Sequence, residues 1–312
     1  MIDPEFLSFD SNGLYCKFGN FYLDPQKPVE NSVISHAHAD HAVSGSQNVF
    51  CTDATAAIMQ HRYKKNASAQ FFVKVCREKF ILNGIKVTFF PAGHIVGSVQ
   101  VLLEFAEIKY LYTGDFKLQP DITCEPAQFV EADVLITEST FADPAITHPY
   151  PPDEIKKLNE FDHNVLLGAY SLGKAQRLIS LINQHCSNRK ILVHHAILPV
   201  NKIYEQFSFP PGRYESYNRK LMKAGNNYVY VVPPLTFDSY FRAKNVMRIF
   251  ASGWKNLHRN NDLELYISDH ADWEDILIVI NLVKPKQVWT LHGDGSHLKS
   301  YFRDKLTVKV LQ

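Results

Sequence analysis

The segment 36–41, with the sequence HAHADH, carries four side chains that can ligate a metal. Side chains two positions apart in an extended segment point to the same side, so His36 and His38 can share one ion. Asp40 and His41 can then serve a neighbouring ion. Imidazole and carboxylate groups suit borderline divalent ions, with zinc first and manganese or iron as alternatives. Four such groups so close together are not typical of structural histidines, and the segment therefore predicts a metal centre.

Three further potential ligands each follow a predicted strand. His94, Asp115 and His292 are next to glycines in the sequences AGH, TGD and LHG. A strand end delivers a side chain to one edge of a sheet, and a neighbouring glycine lets the backbone approach an ion closely. A single histidine at a strand end is more often structural. Together with HAHADH, however, these three residues make an ordered set of seven potential ligands.

Length and composition are those of a soluble globular protein with one large or two modest domains. The chain has 312 residues, of which 46% are hydrophobic and 21% charged. No apolar run approaches the roughly twenty residues that span a bilayer, and the start of the chain does not resemble a secretory signal. Five scattered cysteines without a CxxC motif are typical of buried thiols in a reducing compartment. We therefore expect a cytoplasmic protein without a membrane partner.

Charge is unevenly distributed along the chain. Residues 164–260 hold 14 Lys and Arg against 3 Asp and Glu, a balance of +11, whereas the rest has a balance of −10 and the whole chain +1. A basic segment inside an acidic protein favours a polyanionic partner such as nucleic acid. The alternative is a basic surface that only balances the acidic remainder.

The pattern of predicted secondary structure changes at the proline-rich stretch 149–152. Before it, short strands dominate, including 14–24 and a hairpin through Asn83-Gly84, and a capped helix begins at Asp53. After it, strands and helices alternate, which predicts a small α/β unit. Residues 262–312 have a β-α-β-α-β pattern.

These motifs in this order resemble the metallo-β-lactamase superfamily and, within it, the β-CASP nucleases. Asp24 matches the first superfamily motif, HAHADH the second, His94 the third and Asp115 the fourth. The sequence TEST at 137–140 resembles β-CASP motif A, SDHAD at 268–272 motif B, His292 motif C, and YSLGKAQR at 170–177 the start of the β-CASP cap. Segments 34–42, 97–101 and 168–177 are most similar to bacterial DNA-ligase-associated exonucleases.

The resemblance implies a fold and a domain organisation. The expected fold is a four-layer αβ/βα sandwich with a small inserted β-CASP-like α/β cap. We expect the catalytic domain in residues 1–163 and 261–312 and the reduced cap in residues 164–260.

The resemblance also implies roles for individual residues. His36, His38 and His94 would hold one divalent ion, Asp40, His41 and His292 the other, and Asp115 would bridge them; zinc is expected, with manganese as the alternative. His270 would protonate the leaving oxygen, Glu138 would orient His270, and Asp24 would orient the metal loop. Substrate phosphate would contact a set of polar residues that could equally bond backbone or solvent, namely Ser98, Ser139, Thr140 and Lys174.

The function expected from this resemblance is hydrolysis of nucleic-acid phosphodiester bonds. We favour a DNA exonuclease that acts on single strands in DNA repair, in functional association with a DNA ligase and a helicase. The alternative is an RNA-processing ribonuclease, because a histidine at motif C is typical of that branch. Small-molecule hydrolases of the superfamily lack the motif B histidine and the cap, and non-catalytic relatives lack ligands, so both are disfavoured. The pair His194-His195 matches no motif and is interpreted as structural.

Overall fold

Two units divide the chain in the computed structural model, which describes residues 2–240, 244–257 and 261–311. The first unit comprises Met1–Leu118, Cys124–Thr147 and His270–Gln312, and the second comprises Gln119–Thr123 and His148–Asp269. The second unit contains all of the predicted cap segment 164–260 and extends beyond it on both sides. The assignment of these segments as a catalytic domain and a cap stays a prediction.

Strands account for most of the regular structure in the described residues. They are β1 (Leu7–Asp10), β2 (Gly13–Cys16), β3 (Phe21–Leu23), β4 (Asn31–Val33), β5 (Ser46–Cys51), β6 (Ser68–Val73), β7 (Lys79–Leu82), β8 (Ile85–Pro91), β9 (Val99–Phe105), β10 (Ile108–Tyr112), β11 (Val134–Glu138), β12 (Asn164–Gly168), β13 (Lys190–Val193), β14 (Glu215–Ser216), β15 (Tyr228–Val232), β16 (Val246–Ser252), β17 (Leu263–Tyr266), β18 (Gln287–Leu291) and β19 (Thr307–Val310).

The helices are short or of medium length. They are α1 (Asp53–Tyr63), α2 (Pro151–Lys156), α3 (Lys174–His185), α4 (Leu198–Gln206), α5 (Arg219–Ala224), α6 (Pro234–Ser239), α7 (Trp273–Val283) and α8 (Ser296–Tyr301). In the described parts of the chain, no helix combines the length and the apolar character needed to cross a membrane.

The first unit is built from two sheets with helices on their outer faces. One sheet has the order β1-β2-β3-β4-β5-β6 and the other β19-β18-β11-β10-β9-β8-β7. Buried side chains of both sheets, including Phe21 and Trp289, form one core. Met59 of α1 packs with Val49 on the outer face of the first sheet, and α7 packs on the outer face of the second. The predicted αβ/βα layer order is confirmed.

Local sequence explains several of these elements. Thr52 caps α1 by accepting a hydrogen bond from the backbone of Thr55. Asn83 and Gly84 have φ values of 47° and 87°, as a two-residue hairpin between β7 and β8 requires. The prediction of one strand over 14–24 is wrong, because the chain reverses at Asn20, with φ 48°, and forms the antiparallel pair β2 and β3.

The second unit is a parallel sheet covered by helices on both faces. Its strand order is β14-β13-β15-β12-β16-β17, and every neighbouring pair is parallel. Leu178 of α3 packs on one face with Val165, while Phe237 of α6 packs on the other with Leu166. β12 is buried along its whole length, as a strand covered on both faces must be. The first strand of the β-α-β-α-β pattern predicted for residues 262–312 is β17, which belongs to this sheet and not to the sheet that contains β18 and β19.

Candidate metal centre

Asp24 holds both ends of the HAHADH loop, which follows β4. It lies directly after β3 with a left-handed φ of 43°. One carboxylate oxygen accepts a hydrogen bond from the backbone N–H of Ser35 at 2.7 Å. The other accepts bonds from the Ser35 hydroxyl, from His41 Nδ1 at 2.8 Å and from the Tyr112 hydroxyl at 2.9 Å. These bonds join Asp24 to both ends of the loop, and its role in orienting metal ligands stays a prediction.

Four buried or half-buried ligand groups converge beside this loop. His38 Nδ1 lies 3.1 Å from His36 Nε2 and 3.0 Å from His94 Nε2. Asp115 Oδ2 lies 3.5 Å from His36 Nε2 and 3.8 Å from His94 Nε2. Donors around one tetrahedral ion with bonds of roughly 2.0–2.1 Å are about 3.3 Å apart. Both the spacing and the donor chemistry of His36, His38, His94 and Asp115 therefore fit one divalent ion.

The second predicted ligand set, Asp40, His41 and His292, is more widely spaced and more exposed than the first. His41 Nε2 lies 3.4 Å from Asp115 Oδ2 and 3.9 Å from Asp40 Oδ2, and the rings of His41 and His292 are 5.0 Å apart. The Asp40 side chain is 77% exposed, and His292 is exposed with a left-handed φ of 51°. Asp115 thus lies between the two predicted sets. The assignment of Asp40 and His292 as ligands stays a prediction.

Glu138 and His270 form a pair next to Asp115. His270 Nδ1 lies 2.9 Å from Glu138 Oε2 and 3.8 Å from Asp115 Oδ2. Glu138 Oε2 also accepts a hydrogen bond from the Thr140 hydroxyl at 2.8 Å, and Glu138 Oε1 accepts one from the backbone N–H of Phe116 at 2.8 Å. The carboxylate is therefore fixed in place, while the imidazole remains 28% exposed.

The histidines of the cluster have pKa values that are shifted in opposite directions. Burial, reinforced by neighbouring histidines, lowers the pKa of His36 and of His94 well below the usual range. Burial also disfavours charged His41, but Asp115 and Asp24 outweigh it and raise the pKa of His41 well above the usual range. Burial likewise opposes ionisation of Asp115, but His41 and His270 lower its pKa well below the usual range. Neutral imidazoles beside an ionised carboxylate are the protonation states that metal binding needs.

Comparisons with known proteins agree with this geometry. No protein-family model matches the chain. It is 31% identical over 312 residues to a protein named Probable DNA ligase from Opitutus terrae, an alignment that covers 95% of this chain and 30% of that protein. It is 29% identical over 197 residues to an RNase J-like protein from Methanocaldococcus jannaschii, covering 53% and 46%. It is 31% identical over 158 residues to 5′ exonuclease Apollo from Gallus gallus, covering 47% and 35%.

The relatives agree with the resemblance of the sequence motifs, and a solved structure supports the fold. The homologues of this chain include β-CASP nucleases of the metallo-β-lactamase superfamily. The chain spans less than half the length of each of the three relatives. A crystal structure of a protein of unknown function from Enterococcus faecalis superposes with a TM-score of 0.61 at 17% identity, covering 90% of this chain and 79% of that chain, and shows the fold alone.

The predicted substrate-binding residues have different surroundings. The Ser98 hydroxyl accepts backbone hydrogen bonds from His94 and Ile95, each at 3.1 Å. The Ser139 hydroxyl donates to the carbonyl of Leu291 at 2.8 Å.

The other two predicted substrate-binding residues are placed in different units. Thr140 lies in the first unit and contacts Glu138, as described above. Lys174 lies in the second unit and is buried, with Nζ 2.6 Å from the carbonyl of Ile267 and 3.0 Å from Asp269 Oδ2. Within the first unit, Ser98 contacts the backbone of the predicted ligand His94 and Thr140 contacts Glu138, and a phosphate contact stays a prediction for all four residues.

Several supporting residues are not evident from the sequence motifs. Ser35 and Tyr112 bind Asp24, and the buried Lys117 donates to the carbonyl of His94 at 2.5 Å. The only sequence signal for them is their proximity to HAHADH and to Asp115. Their role depends on contacts between strands that are distant in sequence.

Two glycines permit the close backbone approaches that the β-CASP motifs require. A Cβ on Gly114, which has φ 54°, would lie 2.7 Å from the Ser35 hydroxyl oxygen. A Cβ on Gly293, which has φ 153°, would lie 2.2 Å from the carbonyl oxygen of Ser139. A side chain at either position would therefore displace backbone or side chains that hold the site.

Proposed function

We propose that this protein is a two-metal nuclease that hydrolyses phosphodiester bonds, and specifically a DNA exonuclease. The observation that carries the proposal is the position of the Glu138–His270 pair, 3.8 Å from the carboxylate of Asp115. Asp115 also lies within 4 Å of His36, His41 and His94. A group that can transfer a proton thus lies beside groups that can hold metal.

In the proposed metal arrangement, Asp115 would be shared between two ions. His36, His38 and His94 would hold one ion, and Asp40, His41 and His292 would hold the other. The imidazole and carboxylate donors favour zinc, with manganese as the alternative. When bound, the ions supply Lewis acidity to the phosphate and lower the pKa of water toward neutrality.

In the proposed mechanism, His270 gives a proton to the leaving oxygen. Its Nδ1 donates to Glu138, so Nε2 is the nitrogen that faces away from the carboxylate and can act on substrate. Hydrogen bonds from Phe116 and Thr140 fix the Glu138 carboxylate, and the fixed carboxylate in turn orients the His270 ring. The negative charge of the carboxylate also stabilises the protonated ring that precedes transfer.

The choice of DNA exonuclease is supported by the names of two relatives. One similar protein is named a probable DNA ligase, and another a 5′ exonuclease. A ribonuclease is the second candidate, because another relative is named RNase J-like. The motif C histidine, His292, also favours that candidate.

We further place this activity in cytoplasmic DNA repair, in functional association with a DNA ligase. The similarity of 95% of this chain to part of a protein named a probable DNA ligase supports the ligase association. An association with a helicase stays a prediction from the sequence resemblance.

A side-by-side digestion tests the proposal. End-labelled DNA and RNA of matched sequence, each with a 5′-phosphate or a 5′-hydroxyl, are incubated with metal-loaded protein, and a circular single strand of DNA is included. We expect loss of linear DNA from an end and an intact circle. RNA degradation about tenfold faster than DNA degradation, a difference of about 1.4 kcal/mol in activation free energy, would reject the DNA assignment. Equal cutting of the circle would reject exonuclease action.

A further inference from the structure

Aromatic rings follow the carboxyl ends of most strands in the second unit. Tyr170 follows β12, His195 follows β13, Tyr217 follows β14 and Trp254 follows β16, while Tyr240 follows α6. We call these five residues the aromatic edge. The strands are parallel and in register, with Gly168 of β12 opposite Val232 and Phe250, so these chain segments leave the sheet at one edge. In open α/β sheets, this is the edge at which ligands bind.

The rings of the aromatic edge are partly exposed, and two of them, Tyr217 and Tyr240, pack against the buried ring of Tyr230. Tyr170 is 54% and Trp254 51% exposed. Tyr217 stacks on the buried Tyr230, with ring centroids 4.1 Å apart and planes at 23°. Tyr240 lies 6.4 Å from Tyr230 in an edge-on arrangement. Exposed large rings on a rigid buried support are suited to stacking against a planar ligand.

The histidines at the end of β13 extend the same surface. The rings of His194 and His195 are 3.9 Å apart, and that of His194 lies 6.4 Å from Tyr230. His195 is exposed, whereas His194 is half-buried, with the Thr236 hydroxyl 3.4 Å from its Nε2. The described residues offer no carboxylate that would complete a metal site with this pair.

Positive charge lies directly beside the rings. Helix α5 begins two residues after Tyr217 and presents Arg219, Lys220 and Lys223, all exposed. Within the described ranges, no carboxylate forms an ion pair with any of these three side chains. Leu221 and Met222 of the same helix pack against the core that contains Tyr230. The helix is therefore anchored on its apolar side and offers its cationic side to an anion.

We propose that the aromatic edge stacks against the bases of single-stranded DNA while α5 contacts its phosphates. The combination matches the chemistry of a single strand, which offers both unpaired base faces and a regular array of negative charge. Stacking is tolerant of sequence, since every base has a flat face. The inference rests on the proposed function, because it assigns the surface that holds the substrate of that nuclease.

A binding experiment with base-free DNA separates stacking from charge. Full-length His270→Ala protein is titrated into a fluorescent single strand of DNA and into an abasic strand of equal length, and anisotropy is measured. We expect at least about tenfold tighter binding to the strand with bases. Tyr217→Leu with Tyr240→Leu should remove most of that preference and leave the salt dependence unchanged. Tyr301→Leu, an exposed tyrosine on α8, is the matched control and should change neither.

Removal of charge from α5 should change the salt dependence of binding and leave the preference for the strand with bases unchanged. Arg219→Gln with Lys220→Gln should weaken binding to both strands alike and reduce the log–log salt slope by about 0.7 for each phosphate that the variant no longer neutralises. Lys202→Gln on α4 removes one charge from the other face of the sheet and should leave the slope unchanged. Because Tyr217 is partly in the core, Tyr170→Leu with Trp254→Leu provides a second test on more exposed rings.

The outcomes distinguish this inference from the proposed function. If wild-type protein degrades DNA but both aromatic double variants bind as wild type does, the inference is wrong and the nuclease stands. If no nucleic acid is degraded but the preference for bases depends on the aromatic edge, the nuclease is wrong and the inference stands. Tighter binding to RNA than to DNA of the same sequence would reject the assignment to DNA.

Discussion

Each unit contains a cluster of buried charged groups, and the two clusters are balanced differently. In the second unit, Arg177 Nη1 and Lys174 Nζ each lie 3.0 Å from the Asp269 carboxylate, and Arg177 Nε lies 3.7 Å from Asp121. Both carboxylates thereby lie within ion-pair distance of a lysine or arginine. In the first unit, the ion-pair partners of Asp115 within the described residues are histidines alone.

The difference indicates which cluster needs a ligand. A buried carboxylate is costly unless a positive charge compensates it. Lys174 and Arg177 provide that charge in the second unit as part of the chain. In the first unit, burial keeps His36 and His94 neutral, and the raised pKa of His41 makes it the histidine that compensates Asp115. We therefore expect the first cluster, with its neutral imidazoles beside a carboxylate, to bind metal, and the second to act as part of the scaffold.

The largest expected effect follows from removal of the shared anion of the first cluster. Asp115→Ala should lose both metal ions and reduce nuclease activity to background, because one carboxylate lies between the two ligand sets. Elemental analysis of reconstituted protein checks this, with Asp153→Ala, an exposed carboxylate of the second unit, as the control. Retention of a full complement of two ions by the variant would show that Asp115 does not bridge them.

Removal of the proton-transfer group should affect chemistry without affecting metal. His270→Ala should retain both ions and reduce the single-turnover cleavage rate about a hundredfold or more, and Glu138→Gln should have a milder effect of the same kind. His61→Ala, on the outer helix α1, is the control. Loss of metal from His270→Ala would instead make His270 a ligand and contradict its role as the acid.

Removal of a cation from the second cluster should affect stability and leave metal content unchanged. Arg177→Met leaves the carboxylates of Asp121 and Asp269 incompletely compensated, so we expect the free energy of unfolding to fall by about 3–5 kcal/mol. Urea denaturation of metal-loaded protein measures this, with Arg213→Met as the control because Arg213 is exposed in the same unit. A variant as stable as wild type would show that the ion pairs are not needed by the scaffold.

The smallest effect concerns a carboxylate for which no ion pair is found among the described residues. Burial and then Asp272 raise the pKa of Asp275, near the start of α7, to about 6. A folded pKa above the unfolded value of 3.8 contributes stability that is present below pH 3.8 and is lost as the pH rises through about 6.

Asp275→Asn should remove that pH dependence and, because the side chain is partly exposed, raise stability above pH 6 by about 1 kcal/mol or less. Denaturation of the variant near pH 4 and near neutral pH, beside wild type and the exposed Glu274→Gln, measures it. A difference between wild type and Asp275→Asn that is the same at both pH values would contradict the predicted pKa.

From the sequence alone, the types and order of the candidate ligands could be predicted, and the family resemblance of its motifs predicted the layer architecture. HAHADH, His94 and Asp115 are readable as ligands because metal chemistry restricts the residue type, and the glycines beside them mark close backbone approach. The hairpin at Asn83-Gly84 was predictable for a similar reason, since few residues adopt its φ values. Such signals depend on the residue type at one position or in one turn, so they can be recognised without knowing which distant segments the chain brings together.

Only the tertiary structure decided which charged groups are compensated and which rings share a surface. The sequence shows Lys174 and Arg177 as members of a basic segment, yet both are buried against Asp269, which is more than 90 residues away in the chain. The sequence likewise does not show that Tyr112 donates a hydrogen bond to Asp24, or that β17 belongs to the sheet of the second unit. Parallel strands bring distant segments to a common edge, and no spacing along the chain records which segments meet there.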